Sequence, residues 1–161
     1  MTQCVHLLAP FREITAMDKS KYSKYFVTGA KANLSLPSYR HEATERSGGN
    51  STRLIYLDNE VVPGAFYSEC AWFWSASAPG KVEAEAHTHE FDEIIGFFGT
   101  SREDPHELCG EIELWLEGEK HILTKSFMVF IPAGMKHCPL IVRRVDRPIF
   151  HFTVGTGGKY G

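Results

Sequence analysis

"GEIELWLEGEKHILTK", residues 110–125, decides the fold class. Ile112, Leu114 and Leu116 fall on one side of an extended chain, with Glu111, Glu113, Trp115 and Glu117 on the other. That period of two is what a half-buried strand requires. The polar turn EGEK follows, then a returning run, so the stretch predicts a β-hairpin.

The neighbouring stretches repeat the pattern. "RLIYL" (53–57) ends at the turn signal Asp58-Asn59, and "SECAWFWSASAPG" (68–80) sets Trp72 and Trp74 against Ala71, Phe73 and Ser75 before Pro79-Gly80. "SFMVFIPAG" (126–134) is a short run apolar on both faces, stopped by Pro132 and Gly134. "RPIFHFTVG" (147–155) alternates Phe150, Phe152 and Val154 with Ile149, His151 and Thr153. Many short strands between turn signals predict an all-β sandwich or barrel, and a closed antiparallel barrel is favoured because it removes exposed edges. Residues 53–161 are assigned to this barrel and residues 1–52 to an N-terminal arm and loop packed on it, one domain in all. Within the arm, only the first 20 residues look capable of a helix. A short strand is expected around Tyr25 to Thr28, and "PSYRHEATERSGGNST" (37–52) reads as loop.

At 161 residues, 43% apolar and 23% charged, the chain is long enough for a sizeable core and too apolar for general disorder. The net charge of −3 and the short cluster Arg143, Arg144, Arg147, broken by Asp146, argue against a nucleic-acid partner. No run approaches the roughly 18 apolar residues of a membrane span, and the N-terminus lacks the pattern of a signal peptide. Cys4, Cys70, Cys109 and Cys138 are widely spaced without a CxxC pair, so they are expected as free thiols, with a cytoplasmic location.

The chemistry concentrates in "AHTHEFDEIIGFFG", residues 86–99. On a helix, His87 and His89 would diverge, because positions two apart do not share a face. Val82, Ala84 and Ala86 instead alternate with Glu83, Glu85, His87 and His89, which predicts a strand. There the two histidines share a face with Cα atoms about 6.6 Å apart, close enough to converge on one ion. Glu93 has the same parity, and a turn at Glu90 to Asp92 would return its carboxylate. His137, two residues beyond Pro132-Ala133-Gly134 and Met135, is the fourth candidate. A solvated strand face explains the histidine pair by itself. Glu93 and the downstream histidine make a metal site the better account.

These residues resemble the two motifs of the cupin superfamily, small β-barrels of two packed antiparallel sheets (the jelly-roll or double-stranded β-helix). The first, GxxxxxHxHxxxExxxxxxG, is met by His87, His89, Glu93 and Gly99; the second, GxxxxxPxGxxHxxxN, by Pro132, Gly134 and His137. The resemblance covers roughly residues 65 to 155. Gly80 stands one position early and Gly99 one short of the usual gap, and Ser126 and Ile141 replace the second motif's glycine and asparagine. None of these is a ligand. "TSREDPHELC" (100–109) looks like an insertion placed away from the metal.

Three imidazoles and a carboxylate suit one divalent ion, Fe, Mn, Ni, Co or Zn, and four protein donors leave two octahedral positions vacant. Cys138 follows His137, and alternation predicts that it faces away. The resemblance implies a metal-dependent enzyme of oxygenase, isomerase or lyase type acting on a small oxygen-rich molecule. The alternative is a metal-assisted binding or sensor protein, since a fold alone does not separate them. His151 is the candidate acid or base if its face looks into the barrel; a structural histidine is the plainer alternative. Trp72 and Trp74 belong either to the pocket mouth or to the core. Glu90 and Asp92 are either partners of the histidine N–H groups or solvated turn residues. By resemblance alone, the chain is expected to be a homodimer.

Overall fold

The computed structural model describes residues 20–31, 33–41 and 49–159. The helix-capable segment 1–19 and the loop core 42–48 lie outside the described residues. Eight strands follow a short 3-10 helix at Ser23–Tyr25: β1 (Ser51–Leu57), β2 (Tyr67–Phe73), β3 (Glu93–Phe98), β4 (Glu107–Leu116), β5 (Glu119–Lys125), β6 (Phe127–Ile131), β7 (His137–Val145) and β8 (Ile149–Gly155). All pairings are antiparallel, in a five-stranded sheet of order β1-β2-β8-β3-β6 and a three-stranded sheet of order β5-β4-β7. The expected all-β architecture of two packed sheets is what the chain builds.

The hairpin of residues 110–125 closes at Glu117 and Gly118, both at positive φ (48° and 84°), the backbone that a two-residue turn needs to match strand twist. Ile112 and Leu114 are buried as expected. Glu113, on the other face, is also buried and is satisfied by the Trp115 indole N–H at 2.6 Å and by Arg143. β4 begins at Glu107, so the last residues of the apparent insertion are strand rather than loop. Gly99 is obligatory at this join: a Cβ there would meet the Glu107 carbonyl oxygen at 2.1 Å. Ser126, standing where the motif has glycine, accepts a hydrogen bond from the Gly99 N–H through its hydroxyl at 3.1 Å.

Two expectations are corrected. The residues around Tyr25 to Thr28 form no strand; Tyr25 ends the 3-10 helix, and Gly29 lies alongside β1, its carbonyl accepting from Tyr56 N–H. Residues 82–89 are extended but make only isolated bridges, Ala84 with Leu140 and His87 with His137. Between those bridges the facing strand carries Cys138 at φ 70° and Pro139, which has no N–H to give, so a continuous ladder cannot form. Arg40 bridges Ala84 from the far side. The three-stranded sheet is thus widened by this ribbon and by a piece of the arm.

The core lies between the sheets, with Phe97, Leu108, Ile112, Ile131, Val142 and Ile149 each fully buried. On β2 and β8, Ala71, Phe73, His151 and Thr153 face inward. Trp72 and Trp74 belong neither to the core nor to the cavity: they stack on one another on the outer face, Trp74 exposed and Trp72 packed edge-on against Phe150.

Candidate metal centre

His87 and His89 come from the extended ribbon, Glu93 from the first residue of β3 and His137 from the first residue of β7. The His87–His137 bridge joins ribbon to β7 through reciprocal backbone hydrogen bonds of 3.0 and 3.1 Å. The Gly134 N–H donates to the His89 carbonyl at 2.8 Å, tying the turn of the second motif to the first. Asp92 Oδ1 accepts from Ala133 N–H at 2.9 Å. Asp92 therefore braces the same turn rather than a histidine ring, and Glu90 is exposed.

Each imidazole is set by its own backbone. His87, His89 and His137 hydrogen-bond through Nδ1 to the carbonyls of Glu85 (2.7 Å), Phe91 (2.7 Å) and Met135 (3.0 Å). A carbonyl only accepts, so Nδ1 carries a proton in all three rings, and the atom left to bind a cation, once free of a proton, is Nε2. His89 Nε2 and His137 Nε2 then stand 3.2 and 3.3 Å from one oxygen, Glu93 Oε2. Two Nε2 atoms on one anionic oxygen call for positive charge between them, which protons supply in the metal-free protein and a bound cation would replace. His137 is fully buried, and its Nε2 makes no hydrogen bond. The donor atoms of His89, Glu93 and His137 lie within 4.8 Å of one another. A divalent ion fits these residues, which is how orphaned buried lone pairs are satisfied at metal sites.

Packing holds the donors in place. Tyr39 stacks on His87 at 3.9 Å, and Phe91 lies parallel to His89 at 4.0 Å. The Phe91 ring sits where a Cβ on Gly155 would be, 2.5 Å away. Thr153 Oγ1 donates to Glu93 Oε1 at 2.8 Å. Burial pushes the Glu93 carboxyl up, but His137, His89 and Thr153 outweigh it and hold it at about 2. Burial pulls His87 down to about 4. His89 is raised instead, because the Glu93 carboxylate overcomes its desolvation.

His87, Glu93 and His137 line a cavity together with His151, and His89 is buried beside Glu93. His151 is 6% exposed, so its face does look inward, stacked on Phe97 at 4.3 Å. Its Nδ1–H donates to the Gly96 carbonyl at 3.0 Å, and burial lowers its pKa to about 4. It is therefore neutral, with its lone pair on Nε2.

Several groups at this cavity escaped the sequence reading. Glu69, 3% exposed, accepts from both Arg40 and Arg53, the latter at 3.1 Å, and all three line the cavity. The two guanidiniums hold its carboxyl below the usual range despite burial, which acts to raise it. Thr153 was findable, since it shares parity with His151 on β8. Cys138 is a correction: it faces the cavity, 5% exposed, and its sulfur lies within 4.8 Å of donor atoms of His87 and His137. Alternation fails there because φ is 70°. Burial pushes its thiol up to about 12. Among the described residues, His106 and Cys109 form no metal-ligand group, and no helix is long and apolar enough to cross a membrane.

No family model and no curated protein matches the chain. Solved structures do. The chain is similar to oxalate oxidase in complex with the substrate analogue glycolate, at 13% identity over 91% of this chain and 66% of that one, TM-score 0.50. It is similar to KdgF from Halomonas sp., at 20% identity over 65% and 76%, TM-score 0.39. A sugar phosphate isomerase of the cupin superfamily from Silicibacter pomeroyi aligns at 18% identity over 75% and 68%, TM-score 0.45. At such identities the likeness is one of fold.

Proposed function

Starting from a chain with the cupin fold, we propose that it is a metal-dependent enzyme acting on a small oxygen-rich molecule, with one divalent ion held by His87, His89, Glu93 and His137. The observation that carries this is the convergence of the His89 and His137 Nε2 atoms on one Glu93 oxygen while both Nδ1–H groups are committed to carbonyls. Bound there, the ion supplies Lewis acidity towards oxygen ligands and, if iron, reactivity towards O₂.

The remaining chemistry belongs to the protein's own side chains. His151 presents a neutral imidazole to the cavity and accepts a hydrogen bond or a proton from a substrate hydroxyl. At neutral pH its Nε2 holds no proton to give, so of acid and base the base role is the one supported. Thr153 fixes the Glu93 carboxylate, and Arg40, Glu69 and Arg53 give the cavity a charged wall able to orient a polar substrate. Titratable groups that a metal does not require favour an enzyme over a sensor.

The expected homodimer remains part of this proposal. Ile94 pairs with Phe130, and both project with Met128 from the outer face of β3 and the edge strand β6, at 38%, 59% and 65% exposure. An apolar strip on an open edge supports pairing of two copies there.

Protein purified without chelator is expected to retain stoichiometric metal. Iron-loaded protein should then consume O₂, or convert a hydroxy- or oxo-acid without O₂, and His151→Phe should keep the metal and lose turnover. Absence of metal in the wild type would refute the site. Metal with no turnover, and a His151→Phe variant altered only in ligand affinity, would favour the sensor.

A further inference from the structure

We infer that Cys138 supplies a thiolate to the same ion, making the donor set one of mixed nitrogen, oxygen and sulfur rather than histidine and glutamate alone. The inference rests on the reading of the His137 cluster as a metal centre and adds a donor to it.

The sulfur and the donor atoms of His87 and His137 lie within 4.8 Å of one another, as do those of His89, Glu93 and His137. The two groups share His137, whose Nε2 is buried without a hydrogen bond. An ion bonded to nitrogen at about 2.1 Å and to sulfur at about 2.3 Å can span donors roughly 4.4 Å apart. The sulfur is grouped with two of the four proposed ligands, His87 and His137, and not with His89 or Glu93, so joining that ion requires the Cys138 side chain to turn towards them. In a regular strand, His137 and Cys138 would point to opposite faces. The positive φ of Cys138 breaks that rule and turns both side chains inward, 0% and 5% exposed.

No other described cysteine lies at this cavity. Cys70 and Cys109, both partly exposed, line no part of this cavity. On binding, the S–H bond breaks, the sulfur keeps the electron pair and donates it to the ion, and the proton leaves to solvent. Nothing is oxidised. A thiolate in the set moves preference away from Mn and towards Zn, Co, Ni and Fe, which tolerate softer donors. A buried cysteine that only fills space in the core is the competing account.

Cobalt(II) is the first probe. Cobalt-loaded wild-type protein is expected to show a sulfur-to-cobalt charge-transfer band in the near ultraviolet. Cys138→Ser should lose that band and keep the weaker visible cobalt bands, while Cys70→Ser and Cys109→Ser leave it intact. X-ray absorption on zinc-loaded wild-type protein needs no variant and should show a sulfur scatterer at about 2.3 Å. Bound metal surrounded by nitrogen and oxygen only, or a charge-transfer band that survives Cys138→Ser, would overturn the thiolate and leave the histidine–glutamate centre standing. A wild type that takes up neither metal would overturn both.

Discussion

Tyr39 lies face to face on His87, ring centroids 3.9 Å apart and planes 14° from parallel. A residue of the arm thus sets the plane of a candidate ligand nearly fifty positions away. The arm is pinned there by the Arg40–Ala84 bridge and by Glu85 N–H donating to the Tyr39 carbonyl at 2.8 Å. Losing a group that orients a ligand commonly weakens metal binding roughly 10- to 100-fold. Tyr39→Ala is expected to do so in competition titrations against a chelator, with Tyr39→Phe, which keeps the ring, close to wild type. Equal affinities for all three proteins would show that the stack is incidental.

The expected loss on removing a ligand is larger. His89→Ala deletes one of the two nitrogens facing Glu93 Oε2, and metal analysis should find the variant empty after purification without chelator. Chelating the wild type should leave cooperative unfolding intact, because Phe97, Leu108, Ile112 and Ile149 are buried with no help from the site. Burying each such side chain contributes about 1.5–3 kcal/mol. Full occupancy in His89→Ala would contradict the ligand assignment. Collapse on chelation would make the ion structural.

Fold and site differ in how legibly the sequence carries them. Period two around Ile112 and Leu114 exposes the hairpin because one face meets the core and the other meets charge. His87, His89, Glu93 and His137 are recognisable as a group because donor chemistry restricts residue type as well as spacing. Cys138 defeats the same logic: parity assigns it to the outer face, and one left-handed φ reverses that. Pro139 similarly keeps residues 82–89 from the regular strand their alternation predicts. Arg40 and Glu69 have no local signature at all, since their pairing joins a loop of the arm to the middle of β2 and depends on the assembled barrel.

The buried histidines give the metal-free protein an acid sensitivity with a defined sign. His151 titrates at about 4 in the folded chain against 6.5 for the ordinary side chain. Between those values the unfolded state binds a proton that the folded state refuses, so stability falls as pH drops through that window. A shift of this size corresponds to about 3 kcal/mol for a fully buried group. His87 acts in the same direction and His89, whose pKa is raised, in the opposite one. Glu93, held at about 2 against 4.5, extends the loss to lower pH. His151→Phe, whose ring would sit against Phe97 and Phe73, should flatten the slope between 6.5 and 4 in denaturant titrations. An unaltered slope would place the acid sensitivity elsewhere.

The outer strip on β3 and β6 carries the remaining expectation. Met128 and Phe130 are same-face neighbours on an edge strand, and Phe130 faces Ile94 across the ladder. A monomer would leave these side chains in water beside unpaired backbone groups, an arrangement that invites association. Phe130→Lys puts a charge in the middle of the strip without touching the core, so it should leave the unfolding midpoint nearly unchanged. Light scattering coupled to size exclusion is expected to give a dimer mass for the wild type and a monomer mass for the variant. A wild type that is monomeric at every concentration tested would remove the homodimer from the proposal, and a dimer that survives Phe130→Lys would move its interface to another face.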